Sequence, residues 1–177
     1  MRLLLGIIGL MGSGKSTVAS YLTSNCNFQS MRISGKMHEI AQELGIEATR
    51  DYLQGISQFM KTFDEDVWIK YIVKKVKQTS FPIVIDDIRR QNEIDFLQPV
   101  GFKFMKVEAP SLDRKERIEL RRAKKISERE WERWSKHSTE VQVPELPADY
   151  IIKNEESLQY LEQQVDRVLK ELGFKKS

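Results

Sequence analysis

The chain has 177 residues, of which 40% are hydrophobic and 31% are charged, and its formal net charge at pH 7 is +3. This length and composition fit one folded domain and exclude a disordered chain, and the small net charge disfavours general binding to nucleic acid. The single cysteine, Cys26, excludes an internal disulfide and fits a reducing compartment, so we expect a cytoplasmic protein.

The first predicted elements are a buried strand over residues 3–8, a glycine-rich turn and a helix over residues 15–25. The turn, residues 9–16, reads G-L-M-G-S-G-K-S and matches the phosphate-binding pattern G-x-x-x-x-G-K-S. Its glycines let backbone N–H groups point at phosphate oxygens, and the N-terminus of the helix adds partial positive charge. The residues predicted to bind the nucleoside triphosphate in this region are Gly9, Met11, Gly12, Ser13, Gly14, Lys15, Ser16 and Thr17.

Two residues of this loop have defined roles in the pattern. Lys15 reaches the β- and γ-phosphates, and the Ser16 hydroxyl holds Mg²⁺. The preceding strand is short and runs directly into the loop, so we expect neither a signal peptide nor a membrane span. The sequence therefore predicts a protein that binds a nucleoside triphosphate.

A second strand is predicted over residues 28–33, followed by helices over residues 37–44, 49–60 and 64–77. Ser34 can cap the first of these helices. The region of about residues 34–78 is predicted to bind an acceptor, through Ser34, Lys36 and Arg50, with Arg32 nearby. A lone arginine is often only a surface residue. Tyr52, Phe59 and Trp68 either sandwich a base or belong to the core.

A third strand, over residues 81–86, ends in the acid pair Asp86 and Asp87. Ligands of open α/β sheets bind at the carboxyl ends of strands, and this strand is expected beside the phosphate loop. One acid then holds Mg²⁺ through water, and the other orients or deprotonates an acceptor hydroxyl or contacts an acceptor base. We place the metal on Ser16 and Asp86, although the sequence does not separate the two acids. Alternatively, both acids cap a helix over residues 91–98.

After a fourth strand over residues 101–107, the chain becomes basic. Residues 111–136 carry ten Lys and Arg against six Asp and Glu, so this segment has a larger positive charge than the whole chain. A helix is predicted over residues 111–123, and the capping box Ser127–Glu130 starts a second helix. A loop is predicted over residues 141–147.

One face of the first basic helix presents Arg114, Arg117 and Arg121, which are spaced at i, i+3 and i+7. Guanidinium groups suit phosphate oxygens, so Arg117 and Arg121 are predicted to contact the transferring phosphoryl group. Residues of about 111–147 then form a lid over the nucleotide. The alternative is a solvated helix whose arginines pair with interleaved glutamates.

The last predicted elements are a short strand over residues 149–153 and an amphipathic helix over residues 158–172. Strands that alternate with helices predict an α/β fold, with a parallel sheet between two helical layers. We expect a single domain over residues 1–177. The oligomeric state stays open between a monomer and a homodimer.

Four segments resemble the nucleoside monophosphate kinase superfamily, and within it the phage-type deoxynucleoside monophosphate kinases. They are Arg50-Asp51-Tyr52-Leu53-Gln54-Gly55, Asp66-Val67-Trp68-Ile69, Asp87-Ile88-Arg89-Arg90-Gln91-Asn92-Glu93 and His137-Ser138-Thr139-Glu140. The third is similar to the family's D-V-R-F-x-N-E segment, with Arg90 in place of phenylalanine. The fourth is similar to its histidine-serine-glutamate loop, with one extra residue. Residues 117–122 and 148–158 are also similar to dephospho-coenzyme A kinases, but this chain lacks their aspartate pair after strand two.

The resemblance implies a P-loop NTPase three-layer sandwich with a five-stranded parallel sheet and a helical arginine-rich lid. It also implies ATP as the donor, Mg²⁺, adenine held near Asn154, and Arg89 facing the acceptor. The expected catalytic residues are Lys15, Asp86, Asp87, Arg117 and Arg121.

We therefore expect phosphoryl transfer from ATP to a small-molecule acceptor, a (deoxy)nucleoside monophosphate. Three alternatives stay open: a kinase for another metabolite such as dephospho-coenzyme A, a nucleotide-dependent switch that docks a partner, and a polynucleotide-end kinase. The absence of an N-K-x-D guanine-reading motif argues against a GTPase.

Overall fold

Five parallel strands form one sheet at the centre of the fold. The computed structural model describes residues 2–136 and 138–175, without the side chains of Arg50, Ser138 and Thr139. The strands in this part of the chain are β1 (Leu4–Ile8), β2 (Gln29–Met31), β3 (Ile83–Ile88), β4 (Lys103–Glu108) and β5 (Tyr150–Lys153). Their order is β2-β3-β1-β4-β5, and every neighbouring pair is parallel. The predicted α/β fold with a five-stranded parallel sheet is confirmed.

The helices connect the strands and cover both faces of the sheet. They are α1 (Lys15–Cys26), α2 (Gly35–Glu43), α3 (Arg50–Lys61), α4 (Val67–Lys77), α5 (Gln91–Leu97), α6 (Ser111–Arg122), α7 (Glu128–Ser135), α8 (Ser138–Val141) and α9 (Leu158–Glu171). Short 3-10 turns span Gln98–Val100 and Val143–Glu145. Across the described residues, no helix combines the length and the apolar character needed to cross a membrane.

Alternate residues of the central strand are buried on opposite faces of the sheet, because side chains of a strand alternate. Leu4 and Ile8 of β1 belong to one apolar cluster, and Leu5 and Ile7 belong to another. The first cluster includes residues of α2, α4 and α5, and the second includes residues of α1 and α9. The sheet therefore lies between two helical layers, as the alternating pattern predicted.

The acid pair lies at an irregularity of β3. Gly6 of β1 pairs with Ile85, but Ile8 pairs with Ile88, so three steps along β3 face two steps along β1. The extra residue is accommodated at Asp86 and Asp87, and such a bulge re-aims side chains. β3 therefore continues to Ile88 instead of ending at Asp86 as predicted.

Two other predicted boundaries were wrong for identifiable reasons. β2 has three residues and stops at Met31, since the backbone N–H of Ile33 donates to the Asp87 carboxylate instead of to a strand. The predicted loop of residues 141–147 contains the end of α8 and a 3-10 turn. Its Val143 and Leu146 are buried in an apolar cluster, which orders the segment.

A small apolar cluster of its own joins α6 and α7. Ile118, Ile126 and Trp131 form this cluster, and Met11 of the phosphate loop packs against it. The capping box predicted at the start of α7 is confirmed, because the Ser127 hydroxyl accepts from the Glu130 N–H and the Glu130 carboxylate accepts from Ser127. The segment predicted as a lid thus rests directly on the phosphate loop.

Candidate active site

The phosphate loop between β1 and α1 needs its glycines for two reasons. The backbone angle φ is 79° at Gly12 and 105° at Gly14, a region that other residues rarely adopt. A Cβ on Gly12 would also lie 2.6 Å from the Arg114 carbonyl oxygen, and one on Gly14 would overlap the Asn154 side-chain nitrogen. The loop is therefore a tight backbone cradle, enclosed by α6 and by the turn after β5.

Lys15 is buried in this cradle. Only 7% of the residue is exposed, and its ammonium donates to the carbonyl oxygens of Gly9 and Leu10 at 2.7 and 2.9 Å. Burial, followed by the nearby Arg89 charge, lowers the pKa of Lys15 to about 7. The amine therefore lies in the loop at a position where it can bind an anion. Burial disfavours its protonated form, and a bound anion would favour that form again.

Binding of ATP at about pH 8 is expected to take up protons through Lys15. In the free protein this amine is mostly neutral above its pKa of about 7, and phosphate charges beside it favour the protonated form. Calorimetry in two buffers of different ionisation enthalpy measures the uptake, which we expect to approach one proton per site. Lys15→Met should remove that uptake; equal uptake in this variant would contradict the assignment.

Asp86 faces the phosphate side of the site. It is 6% exposed, and its Oδ1 atom has no hydrogen-bond partner. The exposed Arg32 guanidinium lies 3.4 Å from this oxygen. A buried carboxylate oxygen with an ion pair but no hydrogen bond is unusual, which makes this oxygen a candidate ligand for an ion or its water.

Asp87 instead holds the backbone at the start of α2. Its carboxylate accepts from the N–H of Ile33 at 2.9 Å and from the N–H and hydroxyl of Ser34 at 3.1 and 3.0 Å. Burial raises the pKa of Asp87. The alternative that the two acids cap the helix after β3 is wrong, because the Glu93 carboxylate accepts from the N–H groups of Arg89 and Arg90 there. Ser34 occupies the cap position of α2, but its hydroxyl bonds to Asp87 and not to the helix.

The arginines of α6 approach the phosphate loop from the other side. Arg117 donates to the Asn154 carbonyl oxygen at 3.0 Å, and Asn154 donates to the Ser13 carbonyl oxygen at 2.8 Å. Arg114 is 8% exposed, donates to the Met11 carbonyl oxygen at 3.3 Å and lies over the Trp131 ring. Arg114 and Arg117 therefore contact the phosphate loop and Asn154, whereas Arg121 is exposed and Arg117 also lies 3.9 Å from Asp113, so the alternative of a solvated, ion-paired helix holds in part.

A cleft of about 400 Å³ collects most of the predicted nucleotide and catalytic residues. Its lining includes Met11, Gly12, Gly14, Lys15, Ser16, Thr17, Asp86, Asp87, Arg89, Arg117 and Arg121. Gly9 and Ser13 belong to the loop but line a separate cavity beside β4, and Asn154 contacts the loop from outside the cleft. The Met11 N–H already donates to a carboxylate, so this residue offers the cleft its side chain and not a free amide.

A second cavity of about 200 Å³ adjoins the cleft. The two share Ser34, Asp87 and Arg89. The remaining lining comes mainly from α2, α3, α4 and α5, with Met37, Ser57, Lys61, Trp68, Arg90 and Asn92 among its residues. Arg89 therefore lies where the two spaces meet.

Some predicted acceptor residues are not brought to this cavity. Lys36 forms ion pairs with Glu39 at 3.2 Å and Glu43 at 3.7 Å and lines a separate groove beside β2. Of the three aromatic residues, Trp68 lines the cavity while Phe59 is 62% exposed. The Arg50 side chain and His137 lie outside the described residues.

Sequence reasoning gave no role to Glu140, which is 8% exposed and accepts from the Met11 N–H at 2.7 Å. The same carboxylate forms an ion pair with Arg89. Lys61 and Asn92 likewise had no individual role in the sequence-based prediction. The signal for Glu140 was its place in a short segment with a family resemblance, but 129 positions separate it from Met11.

The described residues contain no cluster of three His, Cys, Asp or Glu side chains suited to a metal. Mg²⁺ often needs no such cluster, since it keeps several waters and binds one or two carboxylates together with substrate phosphates. Ser16 and Asp86, both in the cleft, are compatible with that mode.

Comparison with known proteins agrees with this geometry. The model of the AAA domain family AAA_18 matches residues 5–136. An Acanthamoeba polyphaga mimivirus protein named "Putative deoxynucleotide monophosphate kinase" is 24% identical over an alignment of 147 positions, gaps included, that covers 62% of this chain and 75% of that protein. A UPF0200 protein of Aeropyrum pernix is 28% identical over an alignment of 172 positions, gaps included, that covers 91% of this chain and 89% of that protein.

Solved structures share the fold. Shikimate kinase from Bacteroides thetaiotaomicron superposes with a TM-score of 0.64 at 13% identity, over 97% of this chain and 98% of that one. At this identity the likeness concerns the fold alone. The chain belongs to the AAA domain family AAA_18, and its architecture is that of the P-loop kinases.

Proposed function

We propose that this protein transfers the γ-phosphoryl group of ATP to a (deoxy)nucleoside monophosphate, giving the diphosphate and ADP. The observation that carries the proposal is the pair of adjoining cavities. One contains the phosphate loop, the other contains cationic, aromatic and amide groups, and they meet at Ser34, Asp87 and Arg89. Phosphoryl transfer depends mainly on such positioning and on charge, since the protein does little covalent chemistry.

The residues of the cleft fit ATP and Mg²⁺. The loop has no room for a Cβ at Gly12 or Gly14, Lys15 lies buried against loop carbonyls, and Asp86 holds an oxygen without a hydrogen bond. Lys15 and the loop amides would bind the triphosphate, while Ser16 and Asp86 would hold the metal. A bound metal would neutralise charge that develops on the phosphates.

The side chains around the junction have separate tasks in this proposal. Arg89 stabilises charge on the phosphoryl group as it passes between the two spaces. Arg117 and Arg121, on the cleft side, bind phosphate oxygens and help to exclude water. Asp87 fixes the start of α2 and so the wall shared by both cavities.

The acceptor cavity suits a phosphorylated, flat molecule. Lys61 and Arg90 line the cavity beside Glu65 and Glu93 without forming a salt bridge among the described residues, and in this proposal the two cations bind the acceptor phosphate. Burial, followed by the nearby Arg90 charge, lowers the pKa of Lys61, while the more weakly acting carboxylates of Glu93, Glu65 and Asp66 raise it. Trp68 offers an apolar wall for a base.

Asn92 supplies a polar group for the acceptor. Its side-chain nitrogen donates to Asp66 at 2.8 Å, which fixes the amide, and the residue lines the cavity. The carbonyl oxygen of this amide is then an acceptor for an N–H of the base. In this proposal the acceptor region is residues 34–78 together with the chain after β3, and residues 111–147 are the lid of one domain.

Asn92→Ala should raise the KM for the acceptor about tenfold or more with a smaller effect on kcat, because it removes a contact made already in the ground state. Steady-state kinetics with the preferred monophosphate measure this. Gln91→Ala, at the exposed neighbouring position, is the matched control and should leave both constants near wild type. An unchanged KM in Asn92→Ala would place the base elsewhere.

Product analysis tests the proposal itself. ATP, Mg²⁺ and each common NMP and dNMP are incubated with the protein, and the products are identified by mass spectrometry. The proposal requires the diphosphate of one or a few of these nucleotides. If dephospho-coenzyme A alone were phosphorylated, the protein would be a kinase, but its acceptor would not be a nucleoside monophosphate.

A further inference from the structure

Glu140 connects three parts of the site that are far apart in sequence. It belongs to α8, and its Oε2 accepts from the N–H of Met11 in the phosphate loop at 2.7 Å. Its Oε1 accepts from Arg89 at the junction of the cleft and the acceptor cavity. Both carboxylate oxygens are therefore used, one on each side of the reaction centre.

The surroundings of Glu140 are strongly cationic. The carboxylate is 8% exposed and lies within electrostatic reach of Lys15 and Arg114 as well as Arg89. A buried ion pair is stable only where geometry is good and remaining hydrogen bonds are satisfied. Here both oxygens of the Glu140 carboxylate have a hydrogen-bond partner. Loss of the Glu140 carboxylate would leave Arg89 partly buried without a salt-bridge partner, and the Arg89 side chain could then adopt another rotamer.

We propose that Glu140 is a positioning residue that fixes the Arg89 guanidinium at the junction and anchors the phosphate loop at Met11. This inference rests on the proposed phosphoryl transfer, since it gives Arg89 its function. Arg89 has other neighbours, but Glu140 is the carboxylate with which it forms a salt bridge among the described residues. Glu140 itself touches neither cavity, so it acts through Arg89 and the loop.

The kinetic test uses Glu140→Gln and Glu140→Ala, with Glu145→Ala as a control at an exposed carboxylate in the following turn. Gln keeps one oxygen acceptor but loses the charge, so we expect kcat to fall about tenfold in Glu140→Gln and about a hundredfold in Glu140→Ala. The KM for the acceptor should change less than kcat, because the misplaced Arg89 acts mainly in the transition state. Glu145→Ala should behave as wild type.

A double-mutant cycle separates positioning from simple structural support. Adding Glu140→Ala to Arg89→Ala should lower kcat much less than Glu140→Ala does alone, because only the hydrogen bond to the Met11 N–H then remains to be lost. Losses that multiply independently in the double variant would overturn the proposal. Thermal unfolding of each variant reports whether it is folded, and Glu140→Gln keeps the test usable if Glu140→Ala is not.

A spectroscopic readout is independent of turnover. In the wild type, the Met11 amide resonance should show the shift of a hydrogen bond to a carboxylate, and rotation of the Arg89 guanidinium should be slow. Both signatures should be lost or reduced in Glu140→Gln and kept in Glu145→Ala. Unchanged signatures would overturn the proposed contacts, whereas intact signatures in a wild type that phosphorylates no acceptor would refute the proposed function alone.

Discussion

Replacing Lys15 with alanine should lower phosphoryl transfer at least 10²–10³-fold, the usual cost of removing one preorganised donor at a transition state. The ammonium donates to the carbonyl oxygens of Gly9 and Leu10 inside the phosphate loop, so it is preorganised beside the predicted phosphate position. Rates of ADP formation with the preferred acceptor measure the effect. Lys124→Ala, at an exposed lysine of the lid, is the control and should retain turnover.

The same substitution should stabilise the free protein, which distinguishes lost chemistry from a lost fold. The folded-state pKa of Lys15 is about 7, below its ordinary value of 10.5, so the unfolded chain binds the proton more tightly. Lys15 therefore lowers the free energy of unfolding, and this destabilisation has its full size below pH 7. The destabilisation becomes smaller as the pH rises from 7 towards 10.5. The midpoint temperature of thermal unfolding should be higher in the variant than in the wild type, and the difference should be largest at about pH 6. Near-normal turnover, or a large loss of stability at that pH, would contradict this account.

Asp86→Asn and Asp87→Asn should fail in different ways. Asp86 holds a carboxylate oxygen without a hydrogen bond beside the phosphate loop, so its amide variant should lose turnover about 10²–10³-fold and need much more Mg²⁺, with little change in stability. Asp87 accepts three hydrogen bonds from Ile33 and Ser34, and an amide would turn a donor towards those donors. Asp87→Asn should therefore lower the free energy of unfolding by about 1–3 kcal/mol.

Titration of activity with Mg²⁺ and chemical denaturation of both variants separate these two outcomes. The sequence left open which acid lies on the metal side, and the structure favours Asp86 through its position and its unsatisfied oxygen. If Asp87→Asn raised the Mg²⁺ requirement and Asp86→Asn only destabilised the fold, the two assignments would have to be exchanged.

The predictable parts of the site follow from local rules. A buried strand, a glycine-rich turn and a helix fix the phosphate loop within residues 4–26, and its positive φ angles at Gly12 and Gly14 require glycine. The strand before Asp86 and Asp87 was also recognisable, because an apolar run of that length fits a fully buried parallel strand. Its position beside β1 follows from the ligand-binding edge of open α/β sheets.

The parts that could not be predicted depend on contacts between distant segments. The extra residue of β3 at Asp86 and Asp87 exists only relative to the register of β1. Lys36 forms ion pairs with Glu39 and Glu43 on its own helix. The acceptor cavity is lined instead by Lys61 of α3 and by Arg90 at the start of α5. No spacing rule connects Glu140 with Met11 and Arg89, since only the folded chain brings them together.

The rate of ADP release from ATP and Mg²⁺, measured with and without a panel of NMPs, dNMPs and dephospho-coenzyme A, tests the central claim most directly. We expect slow ADP release from ATP and Mg²⁺ alone, strong stimulation by one or a few nucleoside monophosphates, and no stimulation in Lys15→Ala. ATP binding without stimulation by any acceptor would contradict a nucleotide kinase and favour a nucleotide-dependent switch.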